Sequence, residues 1–119
     1  MIYSLDDIKR IVQSVAVRYN VETIYLFGSY ARGEATEESD LDFLVFGGSN
    51  FKLTNIFALA EDLREVFNKP VDVFEIHEVN TESGFYDAIM KERLCVAWNT
   101  QMNSDYGKYT IMLQSYATI

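Results

Sequence analysis

Gly28-Ser29-Tyr30-Ala31-Arg32-Gly33-Glu34-Ala35, followed by Ser39-Asp40-Leu41-Asp42-Phe43-Leu44-Val45, is the stretch on which the chain's organisation turns. Just upstream, Val21 to Phe27 is rich in β-branched and aromatic residues and reads as a strand. Gly28 to Gly33 breaks that strand, and the break is read as the opening of a short helix. Glu34 to Ser39 is a polar loop. Leu41 to Phe46 is a second strand, ended by Gly47-Gly48-Ser49-Asn50. A turn followed ten residues later by an acidic strand entrance therefore sits at the centre of the fold.

Outward from this stretch, helical and extended patterns alternate. Ser4, with Asp7 three residues on, resembles a capping box with Asp in place of Glu. Ile8, Ile11, Val12 and Val15 follow at helical spacing, which predicts an amphipathic helix over about residues 5 to 19, stopped by Asn20. Ile56, Leu59, Leu63, Val66 and Phe67 predict a helix over about 52 to 68. Pro70, the only proline, suits the entrance of a third strand, Val71 to Ile76. A helix over about 81 to 91 and a fourth strand, Arg93 to Trp98, complete the order α-β-α-β-α-β-α-β. That order implies an α/β (α+β) domain, a small sheet with helices packed on it, over residues 1–98. Residues 99–119 are a polar tail in which Tyr109, Met112, Leu113 and Tyr116 recur at helical spacing. A short helix packed on its own domain or a frayed end, and a helix kept for a partner, fit that tail equally well.

Composition narrows the function. The chain has 119 residues, 49% of them hydrophobic, enough for one domain with one core. Ten Lys and Arg against 18 Asp and Glu give a formal net charge of −8, which argues against gripping a long nucleic-acid backbone. A triphosphate arriving with divalent cations is compatible with that charge, because such cations need carboxylates. No apolar run approaches the roughly 18 residues of a membrane span. Met1 to Asp7 lacks the pattern of a signal peptide, and one cysteine, Cys95, forms no internal disulfide, so the cytoplasm is the expected location.

The chemistry rests on the opening stretch. A Gly-Ser pair after a strand lets backbone N–H groups approach phosphate oxygens, since Gly28 carries no side chain, and Ser29 adds a hydroxyl. A helix beginning there would add its positive dipole end. Arg32 is a candidate phosphate contact, or a salt-bridge partner of Glu34 or Glu37. Side chains two apart on a strand share a face, so Asp40 and Asp42 project together. Asp72 lies in Pro70-Val71-Asp72-Val73-Phe74, an apolar strand where an unpaired charge would be costly if buried. If that strand neighbours the Asp40–Asp42 strand, three acids converge, the usual frame for two Mg²⁺ ions in phosphoryl-type transfer. Other motifs fail. Gly28 and Gly33 are spaced as in a P-loop, but Glu34-Ala35 stands where Lys-Ser/Thr is required. Cys95 and His77 are too few for zinc. Lys52 is a minor candidate for triphosphate contact, His77 for a general base, and Cys95 reads as a small core residue.

Gly28-Ser29, ten residues, then Asp40-x-Asp42 resembles the signature of the DNA polymerase β-like nucleotidyltransferase superfamily. The fuller string G-S-x-A-R-G-x-A…S-D-x-D is similar to its small prokaryotic branch, the minimal nucleotidyltransferases of the MntA antitoxin type. The similarity covers about residues 5 to 98. It implies a mixed sheet, Mg²⁺ as cofactor, and transfer of a nucleoside monophosphate, usually AMP from ATP. It carries Gly28 and Ser29 as phosphate-binding residues and Asp40 and Asp42 as metal ligands, with Asp72 matching the third acid by strand context. Proteins of this branch are often paired with a HEPN-domain ribonuclease toxin, which they are held to neutralise by adenylylating a tyrosine. Larger relatives carry an added acceptor-binding domain, and the short chain leads us to expect an acceptor supplied by a partner protein. Neutralisation by direct binding and transfer to a small molecule are the alternatives, and homo- and hetero-oligomers are both open.

Overall fold

The computed structural model describes residues 2–99. Helix α1 (Leu5–Tyr19) starts where Ser4 Oγ accepts the Asp7 N–H, with Asp6 and Asp7 complementing the helix dipole. It stops at Asn20, whose left-handed φ of 56° turns its N–H back onto the last carbonyls. Strand β1 (Thr23–Phe27) is buried along its whole length, and β2 (Leu41–Phe46) returns antiparallel beside it. Helix α2 (Asn55–Phe67) follows, ended at Asn68 by the same left-handed device. Strand β3 (Val71–Glu75), a single 3₁₀ turn (Ile76–Glu78), α3 (Gly84–Glu92) and β4 (Leu94–Trp98) complete the order.

The sheet order is β3-β2-β1-β4, with β2 and β3 parallel and the other pairs antiparallel, so the sheet is mixed as the resemblance implied. The β2–α2–β3 crossover is what makes β2 and β3 parallel, since parallel neighbours need a long connection. Pro70 stands just before β3 and contributes what a proline can: its carbonyl accepts the Leu41 N–H at 3.1 Å.

Alternation along the strands separates two apolar layers. Ile24, Leu26, Leu41, Phe43, Val45 and Val71 face α1 and α2, meeting Ile8, Val12, Leu59, Leu63 and Phe67. Tyr25, Phe27, Leu44 and Cys95 face the other way, toward Ile89 of α3.

Several expectations change. No helix forms between β1 and β2. Residues 28–33 make a turn closed by Arg32 N–H to Gly28 O and Glu34 N–H to Ser29 O, with left-handed φ at Gly28 and Gly33 limiting it to one turn. Helix α3 starts at Gly84 rather than at about 81, because Ser83 Oγ caps it by accepting the Tyr86 N–H. Val66, expected on the core face of α2, is 48% exposed. Among the described residues, no helix is long and apolar enough to cross a membrane. The expected helical pattern at residues 109–116 lies outside the described residues.

Candidate active site

The parallel β2–β3 ladder pairs Leu41 with Val71, Asp42 with Asp72, and Phe43 with Val73. Paired residues of neighbouring strands project to the same face, so the Asp42 and Asp72 carboxyls meet on the α3 side of the sheet. Asp40 stands two positions upstream, on the approach to β2. The condition on which the sequence reading depended, that the two strands be neighbours, is thus met.

Asp72 is exposed, not buried, because β3 is the edge strand of the sheet. The cost of burying its charge therefore does not identify it. Its pairing with Asp42 does. Asp42 is the half-buried member, and its carboxyl is pushed up to about 6 by burial first, then by the charges of Asp72 and Asp40 and a hydrogen bond with Asp72, with Arg32 opposing. Among the described residues, no three His, Cys, Asp or Glu side chains are gathered at metal-binding distance. Asp42 and Asp72 meet as a pair, and Asp40 acts on Asp42 through its charge. Carboxylate oxygens are the hard donors that magnesium takes, and few protein ligands leave positions for phosphate oxygens, so the donor set fits that ion.

Gly28 is where the turn and the carboxylates interlock. It follows Phe27, the β1 partner of Asp42, and adopts φ +78°. A Cβ at Gly28 would lie 2.3 Å from Asp42 Oδ2 and 3.2 Å from its Cγ. The glycine thus makes room for the Asp42 carboxylate itself, and its left-handed backbone turns the chain away. Its N–H, expected to face phosphate, is instead donated to Glu92 Oε1 at 2.9 Å. Ser29 closes the turn with its carbonyl, and among the described residues its hydroxyl takes no partner.

Arg32, left between phosphate and salt bridge by the sequence, is ion-paired here. Its Nε donates to Glu34 at 2.9 Å and its Nη1 to Glu92 at 3.1 Å, while its side chain stays 45% exposed. Two groups in this region had escaped the sequence reading. Glu92, at the end of α3, joins Gly28 and Arg32. Lys69, just before Pro70, donates from Nζ to Tyr30 Oη at 2.8 Å and lies 5.0 Å from that ring, pinning the Gly28–Gly33 turn to the entrance of β3. Beyond the carboxylates on the same face, Phe27, Phe74 and Phe85 form an aromatic cluster in which Phe85 stands edge-to-face to the other two rings.

The minor candidates fall away from the site. Lys52 lies past the far end of β2. His77 lies past the far end of β3, where its backbone N–H and Nδ1 contact buried Glu75 as part of a 3₁₀ cap. Cys95 is buried in the α3-side core, and burial raises its thiol to about 11.

Comparison with known proteins agrees with this fold. The family model described as polymerase beta, nucleotidyltransferase matches residues 7–101. A Methanocaldococcus jannaschii protein, provisionally named a protein adenylyltransferase, is 35% identical over 77 residues, covering 65% of this chain and 83% of its own. A toxin–antitoxin structure with AMP-PNP superposes with a TM-score of 0.65 at 19% identity, over 92% of this chain and 88% of that one. A Shewanella oneidensis structure, of a tri-AMPylated HEPN toxin in complex with its MNT antitoxin, gives a TM-score of 0.52 at 16% identity, over 92% and 88%. At such identities the two structures establish the shared fold.

Proposed function

We propose a function on one premise: the chain belongs to the polymerase beta nucleotidyltransferase family, and is a nucleotidyltransferase. In this proposal it is an antitoxin that transfers AMP from ATP, with magnesium, to a tyrosine of a partner HEPN-type toxin. The observation that carries it is the register that sets Asp42 opposite Asp72 beside the Gly28 turn. Residues 1–98 are the transferase domain of the proposal. Its acceptor comes from the name of the Methanocaldococcus jannaschii relative and from the AMPylated toxin of the Shewanella oneidensis complex.

Asp40, Asp42 and Asp72 would hold the metal. Bound magnesium supplies charge neutralisation on the triphosphate and a lowered pKa for the attacking hydroxyl. Ser29, whose hydroxyl takes no partner among the described residues, and the turn behind it receive triphosphate oxygens, with Arg32 at the rim. The phenolic oxygen of the acceptor bonds to the α-phosphorus while the bond from that phosphorus to the α,β-bridging oxygen breaks. Pyrophosphate leaves, and the phenolic proton passes to an aspartate of the pair. Most of the catalysis is positioning and electrostatic stabilisation, as expected for transfer at phosphorus.

Co-expression with the partner toxin separates catalysis from simple binding. Wild-type chain should restore growth, and Asp42→Asn should fail to do so while still forming the complex. Neutralisation by Asp42→Asn equal to wild type would place the activity in stoichiometric binding.

A further inference from the structure

We propose that Glu92 is the positioning residue of the triphosphate site, fixing the Gly28–Ser29 turn and Arg32 in place. The inference rests on the nucleotidyl-transfer reading above and deepens it. Glu92 is the last residue of α3. An acid there faces the negative end of the helix dipole and is locally unfavourable. What offsets this is a set of contacts made far from α3 in sequence. Glu92 Oε1 accepts the Gly28 N–H at 2.9 Å, across 64 residues, and both carboxylate oxygens accept from Arg32 Nη1, at 3.3 and 3.1 Å. The Glu92 side chain is only 21% exposed, and its bond from the Gly28 N–H is partly shielded from water, while the Arg32 pair lies at the surface.

The location matters as much as the bonds. The β1–β4 pairing runs out at Leu26 opposite Leu94, and two residues further along the chain the Glu92 side chain accepts the Gly28 N–H. One carboxylate therefore ties together the end of β1, the turn that follows and the end of α3. Gly28 in turn sets the space for Asp42, its Cα lying where a Cβ would strike Asp42 Oδ2 at 2.3 Å. Shifting the Gly28 backbone would thus disturb the metal-holding aspartate and Ser29 together. Glu92 also keeps Arg32 near that turn, where a guanidinium can meet a phosphate.

The rival is that the Glu92 carboxylate merely stands in a phosphate's place and must leave when ATP arrives. The two accounts predict opposite signs. Full-length wild type, Glu92→Ala and Glu92→Gln are titrated with ATP and Mg²⁺ by calorimetry, with melting temperature recorded for each. Positioning predicts that Glu92→Ala weakens ATP binding about tenfold, the usual scale for an outer-shell partner. Glu92→Gln, whose amide oxygen still accepts the Gly28 N–H, should recover binding to within about threefold of wild type. In turnover assays the Ala variant should raise KM for ATP more than it lowers kcat. Where the Ala variant fails to fold, Glu92→Asp, which keeps the charge and loses the reach, should show the same loss. Unchanged or tighter binding in the Ala or Asp variant overturns the proposal, as does failure of Gln to recover it. Wild type that binds no ATP overturns the triphosphate reading itself, a different result from wild type that binds while the variants do not differ.

Discussion

Asp42 and Asp72 are direct partners across the parallel β2–β3 ladder, two acids on one face at the rim of the sheet. Burial and the neighbouring carboxylates raise Asp42 to about 6, against about 3.9 in an unfolded chain. The folded state therefore favours protonated Asp42. That contribution to stability is complete below about pH 3.9 and lost as pH rises through about 6. Because Asp42 is only partly shielded, we scale the effect to on the order of 1 kcal/mol. In chelator, Asp72→Asn should be more stable than wild type at pH 7.5 by roughly 0.5 kcal/mol or more, with the difference closing toward pH 4. Urea unfolding at the two pH values measures it. Lower stability of Asp72→Asn at pH 7.5 would contradict like-charge repulsion at this pair.

Gly28 and Gly33 share left-handed backbones, φ +78° and +74°, but not surroundings. A Cβ meets Asp42 Oδ2 at Gly28 and nothing within 4 Å at Gly33. Either alanine substitution should cost about 1–2 kcal/mol of backbone strain. Only Gly28→Ala should also displace the aspartate, lowering transfer at least about 100-fold, the scale of losing one stabilising group at a reacting centre. Equal activity losses in the two variants would show that strain alone matters here.

Much of this architecture was legible locally. Ser4 and Asn20 bound α1 as expected, because caps are short-range hydrogen bonds between near neighbours. Leu41–Phe46 was readable from its apolar run and the glycines after it. Asp40 and Asp42 stood out by their spacing, but Asp40 lies before β2 and the partner of Asp42 is Asp72. What escaped depends on contacts between distant segments. Glu92 reaches Gly28 across 64 residues and Lys69 reaches Tyr30 across 39, and neither has a local motif to announce it. The burial expected of Asp72 failed for a related reason: an apolar strand looks alike at the centre of a sheet and at its edge, and only the strand order distinguishes them. The helix expected after β1 failed because two left-handed glycines, Gly28 and Gly33, confine the chain to a turn.

Cys95 provides a test of the α3-side core. It is 1% exposed and its thiol is raised to about 11, chiefly by burial. A thiol-specific reagent at pH 7.5 should react at least about 100-fold slower with folded protein than with protein in denaturant, since both access and thiolate fraction are reduced. Comparable rates would mean that α3 does not hold its place over β4.

In the proposed reaction Asp42, paired with Asp72, carries nucleotidyl transfer to a partner protein. Its most direct test is intact-mass measurement of the HEPN partner after incubation with this chain, ATP and Mg²⁺. Wild type should add AMP to a tyrosine, and Asp42→Asn should lower the rate at least about 1000-fold, the upper end for one electrostatic group at a reaction centre. An unmodified partner with wild-type protein, or equal modification by Asp42→Asn, would contradict it.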